Sequence, residues 1–294
     1  MITESIGIVT DEASEIPDDW ARLHDVEIVK AIVEWPGIDM EKIPGKNVFE
    51  KMLEADRQGK KVFVKTSLSN IGDFKKAFEK QLKKFDKVLY ISVSNKFSGA
   101  LNGALQAINL FPESESKRIF TFDTLSGSCG QGLFVIRAIE LLEKGATLNN
   151  ILEELKKMIP RVKVIAFFKD PKWVVASGRV SETAGKWVRR MKNMGFHPAV
   201  KIKNGMAVSG GIVRAKDEIE AITKFVKKSI KKTNINNSKV RAFISHGEVE
   251  ESAAALEEKL EDMGIEVYMN TLASLVVAGH TGPGTLLCAW HELS

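Results

Sequence analysis

The sequence predicts a two-domain α/β protein, with a three-layer α/β/α parallel-sheet domain over residues 1–160 and a two-layer α/β mixed-sheet domain over residues 161–294. Three observations predict it. In the first half, short apolar runs alternate with segments of helical period, and a repeated strand, turn and helix builds a parallel sheet flanked by helices. Beyond Pro160 the pattern changes: Lys203-Asn204-Gly205-Met206 is a hairpin turn of the Asn-Gly type joining two strand candidates, so this half holds an antiparallel pair. A chain of 294 residues with 44% hydrophobic content is also long enough for two cores.

Taken in order, Ile6 to Val9, Val26 to Val33 and Val62 to Val64 read as strands, with a helix from Asn47 to Asp56 capped by Asn47. Asn70 caps a helix over residues 71–84, in which Phe74, Ala77, Phe78, Leu82 and Phe85 recur at helical spacing. Val88 to Ile91 is a strand that runs through a polar turn into the helical segment Ala100 to Leu110. Arg118 to Phe122 is the fifth strand, Leu133 to Lys144 a helix ended by Gly145, and Thr147 to Ile159 a further helix. In the second half, strands are expected at 162–168, 199–202, 207–213, 240–245 and 265–269, with helices at 217–232 and 249–263. The helices lie where they would cover one side of a mixed sheet.

Composition narrows the function. The longest apolar runs are far too short to cross a membrane and the amino terminus lacks a basic-then-apolar signal, so a cytoplasmic protein without stable membrane insertion is expected. Cys129 and Cys288 have no metal-type spacing and read as buried thiols. Residues 1–150 carry 20 Lys+Arg against 22 Asp+Glu, whereas 151–294 carry 23 against 16, with the densest run at Lys224 to Lys232. These cations are not interleaved with aromatics or set on a nucleic-acid motif. A solvated helix face or an acidic protein partner is expected, and no nucleic acid.

Catalytic signatures fail. There is no G-x-S-x-G elbow, and Gly185-Lys186 lacks the flanking residues of a phosphate loop. Gly127 to Gly132 has its glycines in the reverse of dinucleotide spacing and reads as a tight turn into a helix. The five histidines include no pair at metal-ligand spacing, so no metal and no cofactor are expected.

The stretch Ser92 to Leu110 carries the functional argument. Turns at the carboxyl ends of strands are where α/β sheets hold ligands, and Ser98-Gly99 opens a helix there. Taken by itself, a simple helix cap is the better account of Ser98. Four further motifs accompany it: Thr10-Asp11-Glu12-Ala13-Ser14, Lys65-Thr66-Ser67-Leu68-Ser69, Ser177-Gly178-Arg179-Val180-Ser181 and His280-Thr281-Gly282-Pro283-Gly284-Thr285. In this order, across nearly the whole chain, they resemble the DegV family of bacterial fatty-acid-binding proteins. Ala100, Ser177 and Leu68-Ser69-Asn70 depart from the family's usual residues.

The resemblance implies a DAK1/DegV-like fold and a protein that binds a long-chain fatty acid between and within its domains without being an enzyme. Thr66, Ser67, Ser98, Gly99 and His280 would bind the carboxylate, and the acyl chain would run into the first domain. The Gly282-Pro283-Gly284 backbone is a further candidate anion pocket. Phe74, Phe78 and Phe97 are candidate tunnel residues, although plain core packing explains the same rings. In the family the acid is presented to an ATP-dependent, dihydroxyacetone-kinase-like subunit that phosphorylates it. Arg214 and Arg179 are the candidate contacts to that fatty-acid kinase; a surface pairing with Asp217 or Glu218 is the other reading of Arg214. Two functions of other classes stay open: a small-molecule hydrolase or transferase using Ser98 and His280, and a lipid sensor or store without a kinase.

Overall fold

The chain alternates β1 (Ile6–Asp11), α1 (Asp18–Leu23), β2 (Glu27–Val29), β3 (Ile32–Glu34), α2 (Val48–Arg57), β4 (Lys65–Ser67), α3 (Ile71–Leu82), β5 (Lys87–Ser92), α4 (Ala100–Ile108), α5 (Glu113–Ser116), β6 (Ile119–Asp123), α6 (Cys129–Glu143) and α7 (Leu148–Met158). It continues with β7 (Lys163–Phe167), α8 (Lys172–Ala176), β8 (Phe196–Lys203), β9 (Met206–Arg214), α9 (Glu218–Thr233), β10 (Val240–His246), α10 (Glu250–Glu261), β11 (Glu266–Leu272), α11 (Leu275–Thr281) and β12 (Leu286–Glu292). The structure, a computed structural model, describes residues 5–67, 70–176, 188, 190–191, 194, 196–233 and 239–293.

Two units form. Unit 1 comprises residues 1–32, 67–162 and 203–206, and unit 2 comprises 33–66, 163–202 and 207–294. The division differs from a single cut at residue 160, because 33–66 group with the second unit. Apolar packing is the reason: on α2, Phe49 lies in a cluster with Ala273, Val277 and Ala278, while Met52 and Ala55 pack with Val62 and Trp173.

Unit 1 is built on a four-stranded sheet of order β2-β1-β5-β6, with all its pairs parallel. Side chains alternate along β5, so Val88 and Tyr90 face the helices α3 and α4 in one core. Leu89 and Ile91, also fully buried, point to the opposite face, where α6 packs on β1 and β5. This is the three-layer arrangement. Ala100, Ala104 and Ala107 line the buried side of α4, and Gly103 lets it approach Phe74, whose ring would lie 3.3 Å from an added Cβ. Asn70 Oδ1 accepts from Gly72 N to start α3. Gly145, at φ 75°, ends α6, with Ala146 N donating to Leu141 O and Gly145 N to Leu142 O.

Unit 2 is built on a six-stranded mixed sheet of order β11-β10-β12-β7-β8-β9. β10 runs parallel to β11, while β12 runs antiparallel to β10 and β7. α9 and α10 cover it through one cluster in which Ala221, Ile222, Val226, Leu256 and Leu260 meet Ile165, Phe167, Ala242, Ile244, Leu286 and Cys288. Asn204 and Gly205 both have positive φ, 51° and 77°, as the predicted hairpin turn requires.

Three expectations change. The strand expected at 26–33 is two strands, because Ala31 N leaves the sheet to donate to Glu12 Oε2. The strand expected at Val62 to Val64 lies instead at Lys65–Ser67 and pairs with β3, because Val62 and Val64 are buried as packing residues. The strand β12, not expected from the sequence, is central in its sheet and buried from Leu286 to His291.

Candidate functional site

In unit 2 the structure brings Thr66 and His280 together. Thr66 Oγ1 and His280 Nε2 are hydrogen-bonded at 3.1 Å across 214 residues of sequence. Thr66 lies in β4 and His280 in the last turn of α11, both half-buried. Ser274 caps α11 by accepting from Val277 N, and Val277 and Ala278 anchor the helix against Phe49. Gly279 then allows the close approach, since a Cβ there would lie 2.9 Å from Val64 Cγ2. The residue before His280 and the residue two before Thr66 thus set the distance between the two polar side chains.

The loop after His280 does not supply the expected amide pocket. Gly282 N donates to Ala278 O at 2.8 Å and Gly284 N to Gly247 O at 2.7 Å, so both glycine amides are occupied within the fold, and Pro283 has no N–H. Thr285 Oγ1 donates to Thr281 O and Gly282 O, which fixes the loop's shape.

In unit 1, Ser98 and Gly99 lie at the amino end of α4. Ser98 Oγ accepts from Ala100 N at 3.2 Å, and Gly99 is the cap residue of the helix. Ser98 therefore serves the helix through its acceptor side, which leaves the hydroxyl's hydrogen as the group that can meet an anion. Phe74 and Phe78 are fully buried, and Tyr90 meets both rings edge-on, at 5.4 and 6.1 Å between centroids. Phe97 packs half-buried against the same cluster.

Sequence reasoning gave no role to Asp11, and the structure does. It ends β1 at the switch point of the sheet, where the chain order reverses between β1 and β5. Its Oδ2 accepts from Tyr90 Oη at 2.8 Å and from Val93 N at 2.9 Å, and its Oδ1 from Ala13 N at 3.2 Å. Burial pushes the carboxyl above its ordinary value despite these donors, and burial with the nearby Asp11 pushes the Tyr90 phenol well up. Tyr90 therefore stays a donor. Ser128 Oγ donates to the buried Glu15, and Gln131 Nε2 donates to Thr10 Oγ1. The signal in the sequence was an acid at the end of an apolar strand, with a tyrosine in the middle of its neighbour.

Arg214 ends β9 and is exposed, and its backbone oxygen accepts from Lys224 Nζ at 2.8 Å. Of its two expected partners, Asp217 accepts from Glu220 N at the start of α9, and Glu218 lies 3.7 Å from His197 Nδ1. Ser67 ends β4. Arg179 lies outside the described residues. Among the described residues, no group of His, Cys, Asp and Glu could hold a metal ion, and no helix is long and apolar enough to cross a membrane.

Fold and site together define a two-unit α/β protein with a hydroxyl–imidazole pair in unit 2 and a serine at a helix start in unit 1. The sequence profile of the DegV family, described as "Uncharacterised protein, DegV family", matches residues 5–292, and the chain belongs to that family. It is similar to the solved fatty-acid-binding DegV family protein of Thermus thermophilus, with 26% identity and a TM-score of 0.80 over 98% of this chain and 100% of that one. The fatty acid-binding protein of Thermotoga maritima is 26% identical over 289 residues, 96% of each chain. A DegV domain-containing protein of Caldanaerobacter subterraneus is 25% identical over 290 residues, 95% of this chain and 96% of that one.

Proposed function

We propose that this protein binds a long-chain fatty acid and presents its carboxylate to a separate ATP-dependent kinase. The carboxylate is served by Thr66, Ser67 and His280 and by Ser98 and Gly99, and the acyl chain enters the interior of unit 1 beside Phe74, Phe78 and Phe97. The observation that carries this reading is the Thr66–His280 pair: a hydroxyl and an imidazole 214 residues apart, held 3.1 Å from each other by a glycine contact. Hydroxyl and imidazole donors offset the loss of water around a carboxylate and leave its oxygens free to react. Fatty-acid binding by the Thermus and Thermotoga relatives supports the choice of ligand.

An acyl chain of about sixteen carbons gains on the order of 12 kcal/mol gross from burial, before ordering costs, so the ligand should survive purification. The protein itself supplies no phosphoryl chemistry in this scheme; it acts in the cytoplasm as the substrate-carrying subunit, and Arg214, exposed at the end of β9, is offered to a dihydroxyacetone-kinase-like partner, with Arg179 as the second candidate contact. Organic extraction of the protein purified from bacteria is expected to release a stoichiometric C14–C18 acid. Release of a polar metabolite, or of nothing, would overturn the reading.

A further inference from the structure

The turn that carries Ser98 has to be held in place by something, and its first peptide N–H shows what. Val93 N, immediately after β5, donates to Asp11 Oδ2 at 2.9 Å. The turn then closes on itself, with Phe97 N and Ser98 N both donating to Ser94 O, at 2.9 and 3.2 Å, while Ser94 N is tied to Ser126 O at 2.7 Å. Asp11 thus grips the turn at its root, and Asp123 Oδ2 accepts from Asn95 N two residues on, at 3.4 Å. The same carboxylate oxygen accepts from Tyr90 Oη at 2.8 Å. Tyr90 is fully buried, and its ring stands edge-on to Phe74 and Phe78, each at 71° between planes.

We infer that Asp11 and Tyr90 are positioning residues, which register the Ser98 turn against the aromatic cluster of unit 1 through one shared carboxylate oxygen. This inference rests on the fatty-acid reading only for its consequence, because the tether is a property of unit 1 itself. A ring displaced within the cluster pulls on Asp11 Oδ2, and Asp11 Oδ2 pulls on Val93 N. Acyl-chain packing beside Phe74 and Phe78 is thereby coupled to the placement of the Ser98 hydroxyl, so the pair helps decide which chain lengths leave the head group correctly seated. A buried carboxylate serving only stability would need its donors satisfied, but would not need one of them to be the first amide of a ligand turn and the other a ring of the cluster.

The test uses Tyr90→Phe, which keeps the ring and its volume, with Asp11→Asn as a second variant. Amide hydrogen exchange of the ligand-free protein is read first. Exchange over residues 93–98 is expected to quicken by about fivefold or more in Asp11→Asn, and by less in Tyr90→Phe, as lost hydrogen bonds of about 1 kcal/mol or more imply, with the β5 amides unchanged. Palmitate affinity is then measured in wild type, Tyr90→Phe, Ser98→Ala and the double variant. Tyr90→Phe is expected to weaken binding about fivefold in the wild type and less than about twofold when Ser98 is already Ala, the non-additivity of residues acting through one another. Equal losses in both backgrounds would mean a general structural role and overturn the inference. So would unchanged exchange over 93–98 in both variants. If palmitate binds to none of the proteins, or Ser98→Ala alone has no effect, the fatty-acid or Ser98 assignment fails, and the exchange result by itself decides the tether: quickened exchange supports it, unchanged exchange ends it.

Discussion

The two polar regions assigned to the head group are held in opposite ways. In unit 1 the Ser98 turn is fixed by backbone and carboxylate bonds that would exist without any ligand: Asp11 to Val93, Ser94 to Ser126, and Ser98 Oγ from Ala100 N. In unit 2, Thr66 and His280 are held by each other, on a short strand and the last turn of a seven-residue helix, with apolar contacts at Gly279 and Val64 setting their spacing. The difference separates the two candidate hydroxyls. Ser98 has a structural task that a substitution also removes, whereas the loss of the Thr66–His280 pair is expected to cost the fold less.

The largest expected effect follows from that contrast. His280→Ala and Thr66→Val should each weaken fatty-acid binding by about 1.5–3 kcal/mol, the worth of a hydrogen bond to a charged group, while the melting temperature of the ligand-free protein stays within a few degrees. Calorimetric titration beside a thermal melt checks both halves; a large loss of stability with unchanged affinity would reverse the contrast.

Gly279→Ala sharpens it from the packing side. The new Cβ would lie 2.9 Å from Val64 Cγ2 and 3.0 Å from Val64 Cβ, so α11 must shift. Overpacking of this kind costs about 1–3 kcal/mol, read by urea denaturation, and it should weaken binding as well because His280 moves with its helix. Adding Val64→Ala should restore part of both losses. If Gly279→Ala is neutral in stability and binding, the glycine contact does not set the pair.

Ser98→Ala should lower both quantities together. The lost acceptor for Ala100 N, on the residue before the Gly99 cap, makes a hydrogen bond worth about 0.5–1.5 kcal/mol of stability, in addition to any loss of ligand affinity. A loss of affinity with an unchanged melting temperature would place Ser98 in the same category as Thr66.

The smallest effect is a pH slope. Asp11 has its folded pKa raised above the unfolded value, chiefly by burial, so the native state holds the proton over a window where the unfolded chain has released it. Within that window, from the ordinary 3.8 upward, Asp11 makes the protein less stable as pH rises. His246 runs the other way, since burial lowers its pKa below the ordinary 6.5 and stability falls as the pH drops below that value. Urea midpoints of wild type minus Asp11→Asn, measured from pH 3.5 to 7, should therefore drift against the wild type as pH rises. A flat difference would mean that Asp11 is not titrating as a buried group.

Much of the fold was legible in the sequence because local signals agreed with tertiary packing. Asn47 and Asn70 cap helices at the expected positions, Gly145 ends α6, and Asn204-Gly205 forms the hairpin turn. The misses are places where tertiary contacts outvoted the pattern. β12 is buried from Leu286 to His291 because it lies centrally between β10 and β7, a burial on both faces that leaves no alternation of apolar and polar residues in its sequence. Val62 to Val64 has strand composition but serves as packing against Met52, Trp173 and Gly279. The grouping of 33–66 with unit 2 rests on the clustering of Phe49 with Ala273, Val277 and Ala278 and of Met52 with Trp173, partners more than 100 residues away that leave no local trace.

For the site, the motif around Thr66 and the one around His280 were visible separately, and their hydrogen bond needed the fold. Asp11 lay inside a motif that the sequence singled out, yet its role depends on Tyr90 and Val93, which read from the sequence as ordinary strand residues.

The claim that the protein holds a fatty acid by its carboxylate, with the chain buried, is tested most directly by titrating delipidated protein with palmitic acid and with methyl palmitate, which share a chain and differ in the charged head. The account predicts that both bind through the chain and that the acid binds at least about tenfold more tightly, the difference expected from charged hydrogen bonds to Thr66, Ser98 and His280. Equal affinity for acid and ester, or binding of neither, would contradict it.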